Sequence, residues 1–194
     1  MKAVIILGGY RKKNTWHMAR AFQEGLEKAG HEVEFLHIKD YSILPCTGCE
    51  SCYETGVCIL KDEMHVFYDA IDDADILVLC SPLYFYSVAS DLKKVMDRGQ
   101  PYWERTKRQK STEGMKRKIG AFVSCHGGPY EQDAFFATYK PLRMYFGSVH
   151  AEYRTNCFVS ATDEYPVEQR EDVLEEIRAM AFNLVQGRPE QMHR

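Results

Sequence analysis

The sequence predicts an α/β fold, a three-layer sandwich in which a five-stranded parallel sheet of order 2-1-3-4-5 lies between two layers of helices. Short continuous apolar runs, typical of strands buried on both faces, alternate with segments whose apolar residues recur at helical spacing. Such alternation implies right-handed crossovers between parallel strands. No internal repeat or domain linker interrupts it, so residues 1–194 are predicted to form a single domain.

The elements are predicted in a regular succession along the chain. Apolar runs place strands at 2–7, 32–38, 75–80 and 119–124, and a fifth strand within 148–159. One-sided apolar spacing places helices at 15–29, 62–74, 87–98 and 167–185, and another at 132–146 that Pro141 is expected to kink or interrupt. The basic stretch 105–118 is expected to be an exposed, mobile loop.

Composition narrows the class of protein. Hydrophobic residues make up 45% and charged residues 27% of the chain, which is ordinary for a globular protein. The formal net charge of −3 gives no general attraction to nucleic acid. The N-terminal apolar run is too short for a signal peptide, and no stretch approaches the roughly 18 apolar residues of a membrane span. We therefore expect a cytoplasmic protein that binds neither nucleic acid nor membranes.

The predicted sheet indicates where a ligand should bind. In open parallel sheets, ligands lie beyond the carboxyl ends of the strands, at the point where the strand order reverses. Here that point falls between the first and third strands. The loops that follow Leu7, Cys80 and Ser124 are therefore the expected ligand-binding loops.

The first of these loops, GGYRKKNT at 8–15, has the chemistry of a phosphate site. Glycine lets the backbone approach a ligand, the helix start offers free N–H donors, and the other side chains add donors and positive charge. It lacks the third glycine of a dinucleotide motif and the GK[ST] of a Walker loop, which favours one terminal phosphate. The alternative is an ordinary strand–helix turn. The candidate residues are Gly9, Arg11, Lys12, Lys13, Asn14 and Thr15.

The other two loops have features suited to a flat heterocycle. SPLYFYS at 81–87 puts three aromatic residues directly after a buried strand, where they border a ring or, alternatively, cover the core or a subunit contact. CHGGPY at 125–130 has paired glycines that allow close backbone approach, and a histidine that donates to a ring or serves only a positional role. The candidates are Pro82, Leu83, Tyr84, Phe85, Tyr86, Cys125, His126, Gly127 and Gly128.

Together, the loop 8–15, the run SPLYFYSVASDLKKVMDR at 81–98 and the stretch SCHGGPYEQDAFFATYKPLRMYFG at 124–147 resemble the NADPH-dependent FMN reductase family, whose fold is flavodoxin-like. The resemblance covers about the first 155 residues and keeps the order and spacing of all three loops. It implies an FMN cofactor. The implied contacts are Gly9, Arg11, Asn14 and Thr15 at the phosphate, Pro82, Leu83, Tyr84 and Phe85 at the isoalloxazine, and His126, Gly127 and Gly128 at the ring or ribityl chain.

Four of the seven cysteines fall within thirteen residues, at Cys46, Cys49, Cys52 and Cys58. The C-x-x-C-x-x-C spacing is typical of [4Fe–4S] ligand sets, whereas zinc usually takes two C-x-x-C pairs set further apart. The motif also resembles that of the iron–sulfur flavoproteins, a branch of the same group, which implies a cluster near the FMN. Zinc, and thiols that bind no metal, are the alternatives. The other three cysteines are expected to be buried free thiols.

Together, these expectations indicate an NAD(P)H-dependent oxidoreductase. NAD(P)H or a ferredoxin-like protein would supply electrons, and a flavin, quinone or similar small molecule would accept them. No nucleophile–base triad is readable, so no catalytic side chain is assigned. The alternatives are a flavodoxin-like electron carrier without small-molecule turnover and a cluster-free FMN reductase whose cysteine loop is structural. The resemblance also implies a homodimer or homotetramer.

Overall fold

The computed structural model describes residues 1–187 and 191–194, and its centre is a parallel sheet. Its strands are β1 (Lys2–Leu7), β2 (Glu32–His37), β3 (Ile76–Tyr84), β4 (Ser87–Val88), β5 (Lys118–Cys125), β6 (Ala151–Val159) and β7 (Gln191–His193). Its α-helices are α1 (Asn14–Lys28), α2 (Cys52–Thr55), α3 (Met64–Asp73), α4 (Ser90–Asp97), α5 (Gln100–Trp103), α6 (Gln132–Ser148) and α7 (Glu171–Asn183). The remaining helical elements are short: 3-10 turns at Ile38–Asp40 and Val167–Gln169, and a π-helical turn at Glu104–Arg108.

The strand order is β2-β1-β3-β5-β6-β7, and all neighbours on this path are parallel. This confirms the α/β class and the predicted order of the five apolar strands. The prediction of only five strands is wrong, because β7 extends the edge beyond β6 and β4 pairs antiparallel with β3. Neither of the added strands is a continuous apolar run: of the three residues of β7, only Met192 is buried.

The apolar runs form strands because both faces of the sheet are covered. Alternate residues of β1 serve different layers. Val4 and Ile6 pack with residues of α3, α4 and α6, whereas Ile5 and Leu7 pack with residues of α1 and α7. All four side chains are fully buried. Helices therefore cover both faces of the sheet, whose carboxyl edge leads into the loops described below.

Four local predictions differ from the structure. The segment Ser81–Tyr84 continues β3 instead of forming a loop, because it pairs with β5 and turns into the β3–β4 hairpin. The next helix accordingly begins at Ser90 and not at 87. Helix α6 runs unbroken through Pro141 and on to Ser148, since buried neighbours such as Leu142 and Phe146 hold it against the sheet.

The basic stretch 105–118 is the fourth difference. Instead of being an exposed loop throughout, it begins in the π-helical turn and ends at Lys118, the first residue of β5. Lys118 is only 2% exposed and donates from Nζ to the carbonyl of Lys116. Burial lowers the pKa of Lys118. The stretch is therefore partly built into the fold.

Helices α1 and α7 cross closely at Gly25, and this contact gives a stability prediction. A Cβ atom at Gly25 would lie 2.3 Å from the carbonyl oxygen of Arg178 and 2.7 Å from the Cβ of Ala181. Gly25→Ala should therefore force the helices apart and lower the free energy of unfolding by about 1–3 kcal/mol, as overpacking does. Urea unfolding measures this.

The matched control is Gly147→Ala in α6. A Cβ there would approach no atom closer than the Lys107 Nζ, at 3.6 Å. Because alanine favours a helix over glycine by about 1 kcal/mol, this variant should be neutral or slightly stabilised. If both variants lost the same stability, the α1–α7 contact would not be the cause.

Candidate functional site

A cleft of about 360 Å³ lies at the carboxyl edge of the sheet, where the strand order reverses. The loop after β1, the ends of β3 and β5, and the turn after β6 all line this main cleft. Its residues are Gly9, Tyr10, Arg11, Lys12, Lys13, Asn14, Thr15, Pro82, Leu83, Tyr84, Cys125, Gly127, Thr162, Asp163, Pro166 and Glu168. The structure thus brings together residues from all three predicted loops.

The N-terminus of α1 opens into the main cleft. Lys13 occupies the cap position and makes no side-chain capping hydrogen bond, and the first turn of α1 contains no acidic residue. The first N–H groups of a helix have no intrahelical acceptor and carry partial positive charge. Exposed Arg11, Lys12 and Lys13 lie on the same loop. This end of the cleft has the donors and the charge that an anion requires.

Asn14 joins the two sides of the main cleft. Its Nδ2 donates to the carbonyl of Thr162 at 3.3 Å, and its Oδ1 accepts from the backbone N–H of Val167 at 2.9 Å. Thr15 Oγ1 lies 3.1 Å from the buried Cys125 Sγ, which connects the same loop to the end of β5. These contacts therefore hold the first loop to the turn after β6 and to the end of β5.

The chain at Gly9 is also fixed by close contacts. The backbone N–H of Gly8 donates to the carbonyl of Cys80, and His37 Nε2 lies 2.5 Å from the carbonyl oxygen of Gly9. A Cβ at Gly9 would lie 3.2 Å from Pro82 Cδ. A larger residue at position 9 would thus press against Pro82, which lines the cleft.

Of the three aromatic residues in the β3–β4 hairpin, one lines the main cleft and two do not. Tyr84 lines the main cleft, whereas Phe85 and Tyr86 form the two-residue turn and do not line it. Both turn residues have positive φ, 50° and 56°, which is strained for aromatic side chains. Phe85 is fully exposed, while Tyr86 donates from its hydroxyl to Glu131 and packs edge-on against His126.

The third loop contributes Cys125 and Gly127 to the main cleft but not His126 or Gly128. A Cβ at Gly127 would lie 2.3 Å from Asp163 Oδ2, so a larger residue there would displace the Asp163 side chain. The His126 Nδ1 atom is buried without a hydrogen-bond partner among the described residues. Backbone hydrogen bonds from 161–163 to 126–128 hold this loop against the turn after β6.

The turn after β6 contributes cleft residues that sequence reasoning missed. Thr162, Asp163, Pro166 and Glu168 line the cleft, and Glu168 lies 3.1 Å from His17 Nε2. The rule that pointed to the first three loops applies equally to the end of the fifth apolar strand, and the polar sequence ATDEYP follows that strand. That signal was present in the sequence. Tyr10, inside the first loop, was also missed.

A second cavity of about 300 Å³ is lined by all four cysteines of the loop 46–58. We call it the cysteine cavity. Gly48 and Gly56 turn the loop with positive φ, and Cys46, Cys49, Cys52 and Cys58 all carry free thiols. Hydrogen bonds from Ser51 lower the pKa of Cys49, whereas burial raises the pKa of Cys52. Within 1–187 and 191–194, no three Cys, His, Asp or Glu side chains converge closely enough to hold a metal ion.

The two ends of the cysteine loop are fastened by one buried ion pair. Arg98 donates to both carboxylate oxygens of Asp62, at 2.6 and 3.0 Å, and to the carbonyl of Leu44 at 2.9 Å. Asp62 in turn accepts from the backbone N–H groups of Leu44 and Met64. The side chains of Arg98 and Asp62 are only 1% and 7% exposed. The loop is therefore rigidly attached where it leaves and rejoins the fold.

The family model for NADPH-dependent FMN reductase matches residues 1–152. The chain belongs to this family. The FMN reductase match includes the three predicted loops and the cysteine loop, and it ends just inside β6, before the turn at 162–168.

Curated relatives carry a more specific name. An iron-sulfur flavoprotein from Archaeoglobus fulgidus is 36% identical over 129 residues, which are 66% of this chain and 56% of that protein. An iron-sulfur flavoprotein from Methanosarcina thermophila is 27% identical over 128 residues, 66% of this chain and 64% of that protein. The chain spans about half the length of the curated relatives that it matches.

Solved structures confirm the flavodoxin-like fold. A flavone reductase superposes with a TM-score of 0.75 at 19% identity, covering 100% of this chain and 66% of that one. An NAD(P)H:quinone oxidoreductase from Methanothermobacter marburgensis gives 0.71 at 18% identity, covering 94% of each chain. A flavodoxin from the domain Archaea gives 0.57 at 16% identity, with 96% and 97% covered. Among the described helices, none has the length and apolar character needed to cross a membrane.

Proposed function

We propose that the protein is an FMN-dependent oxidoreductase that takes electrons from NAD(P)H. The observation that supports this most strongly is the convergence of the cationic loop, the start of α1 and the ends of β3 and β5 on one cleft. Such a cleft offers a phosphate site next to the wall of Pro82, Leu83 and Tyr84. Membership of the FMN reductase family supports the same ligand.

In this proposal the chain's own residues bind and orient the cofactor. The free N–H groups of α1, with Arg11, Lys12 and Lys13, would hold the FMN phosphate, and Asn14 would keep the phosphate loop against the turn at 162–168. Pro82, Tyr84 and Gly127 would border the ring. Bound FMN supplies hydride and single-electron chemistry, while the protein supplies position and excludes water. The acceptor we propose is a small molecule such as a flavin or quinone.

For the cysteine cavity we propose a [4Fe–4S] cluster held by its four cysteines. The ligand spacing supports it, and so do the relatives named iron-sulfur flavoproteins. All four free thiols line one cavity, beside the buried and charged Arg98. A ferredoxin-like protein would then serve as an electron donor. A cluster-free reductase is the second candidate, favoured by the absence of a preformed metal site within 1–187 and 191–194.

The cellular location and the oligomeric state are also part of the proposal. The free thiols of Cys46, Cys49, Cys52, Cys58, Cys80 and Cys125 fit the reducing cytoplasm. We propose a homodimer or homotetramer, supported by the exposed Phe85 and by Val57 and Ile59, which are 65% and 59% exposed on the cysteine loop.

Reduction of bound FMN by a nicotinamide tests the proposal directly. Adding NADPH or NADH to FMN-loaded protein in the absence of oxygen should bleach the flavin absorbance, and admitting a quinone should restore it. An electron carrier without small-molecule turnover would respond only to a protein donor. Protein that stays colourless after incubation with excess FMN would contradict the assignment of the main cleft.

A further inference from the structure

Arg98 has a hydrogen-bond donor that its ion pair leaves unused. A guanidinium carries five N–H donors. Nη1 donates to Leu44 and Asp62, and Nη2 donates to Asp62. The Nε–H, in contrast, is buried without a partner among the described residues, in a side chain that is 1% exposed. Because a buried donor left unpaired costs about 1–3 kcal/mol, it indicates a place for an acceptor.

The position of Arg98 shows what kind of acceptor fits. Arg98 lines the cysteine cavity together with all four cysteines of the loop. A guanidinium stays charged in proteins, and the buried ion pair with Asp62 holds this one in place. An acceptor in this cavity therefore faces a fixed positive charge, which suits an anionic sulfur ligand set.

We propose that the Nε–H of Arg98 donates to a sulfur of the cluster held by the four cysteines, and that Arg98 thereby sets the reduction potential of the cluster. This inference rests on the cluster assigned under the proposed function. Hydrogen bonds to sulfur and nearby positive charge favour the reduced cluster, which carries the extra negative charge. Arg98 is thus a positioning residue with an electronic effect, in addition to fastening the loop.

The test compares Arg98→Lys with Arg117→Lys. Lysine at position 98 keeps the charge that pairs with Asp62 but lacks the Nε–H and the planar fork. Arg117 lies outside the cysteine cavity, is 76% exposed and pairs with Glu152, so the same substitution there is the matched control. Each protein is reconstituted with Fe²⁺ and sulfide without oxygen. Iron and sulfide per chain, iron loss to a chelator and the cluster's reduction potential are then measured.

For R98K we expect iron binding about 10–100-fold weaker. The reduction equilibrium of the loaded fraction should shift about tenfold toward the oxidised cluster, which is about 59 mV for a one-electron couple. R117K should match the unchanged protein in every measurement. A loaded R98K cluster with an unchanged potential would overturn the inference even if less cluster were bound, because Arg98 would then act only on the structure of the loop.

Misfolding of the variant and absence of the cluster can each be told apart from failure of the inference. If R98K retains no FMN or does not unfold cooperatively, the double variant R98M/D62N replaces it, because that variant leaves no buried charge unpaired. The same lowering of the cluster's reduction potential is then expected. If the unchanged protein binds no iron and sulfide, the proposed cluster fails and this inference fails with it. Failure of the inference alone is seen only in the variants, since the unchanged protein then loads normally.

Discussion

Arg98→Met is expected to lower the free energy of unfolding by about 3–5 kcal/mol, because it breaks a buried ion pair by removing one partner. The variant leaves the carboxylate of Asp62 buried without its counter-charge and removes the donor to the carbonyl of Leu44. The cysteine loop keeps only the backbone hydrogen bonds from Leu44 and Met64 to Asp62 at this point. Urea unfolding, followed by circular dichroism at a fixed excess of FMN, measures the loss.

Two controls separate this effect from a general sensitivity to mutation. The double variant R98M/D62N should recover much of the lost stability, because asparagine carries no charge and its one amide oxygen can still accept from the backbone N–H of Leu44 or of Met64. Arg117→Met removes a surface ion pair and should cost under about 1 kcal/mol. A double variant no more stable than R98M alone would mean that unpaired charge is not what destabilises the fold.

The same pair predicts how stability depends on pH. Burial raises the pKa of Asp62, but hydrogen bonds from Arg98, Leu44 and Met64 outweigh it and hold that pKa below its ordinary value of 3.8. The stabilisation is therefore present above about pH 4 and is lost as the pH falls through the lower value in the folded protein. The difference in stability between R98M and the unchanged protein should shrink correspondingly in acid.

The second large effect is expected at Asn14. Asn14→Leu removes the donor to Thr162 and leaves the buried N–H of Val167 without its acceptor, which costs about 1–3 kcal/mol. The loop at 8–15 and the turn at 162–168 would then separate in the free protein, and FMN would have to order them on binding. Since 1.4 kcal/mol is a factor of ten, FMN affinity should fall about 10–100-fold.

Quenching of flavin fluorescence on titration measures this affinity. Asn183→Leu is the matched control, because Asn183 is an exposed residue at the end of α7 that does not line the main cleft. It should bind FMN unchanged. Equal affinities for N14L and N183L would show that the connection through Asn14 does not shape the binding site.

Much of this architecture could be predicted from sequence for one physical reason. A parallel strand covered on both faces must be apolar throughout, so runs such as 2–7 and 119–124 are conspicuous. Residues that follow such strands then meet at one edge of the sheet. For that reason the strand pattern alone predicts that Gly9, Pro82 and Gly127 share a site, and all three line the main cleft.

Two other features that sequence reasoning missed, the β3–β4 hairpin and the pairing of Arg98 with Asp62, lacked such a signal. The β3–β4 hairpin turns at Phe85 and Tyr86 with positive φ, although neither residue type favours it and no Asn-Gly or Asp-Gly pair marks the turn. In isolation, Arg98 resembles any basic residue near a helix end, and Asp62 resembles any acidic residue before one. Their pairing joins positions 36 residues apart and depends on burial, which spacing does not show.

The strand β7 has a consequence for self-association. A sheet edge presents a row of free backbone donors and acceptors that can template another chain. Met192 pairs with Cys157, and the backbone of Arg194 exchanges hydrogen bonds with Phe158 and Ser160, so the chain's last residues occupy the outer side of β6. Because β7 is the new edge strand and is only three residues long, it leaves few free backbone donors and acceptors with which another chain could pair.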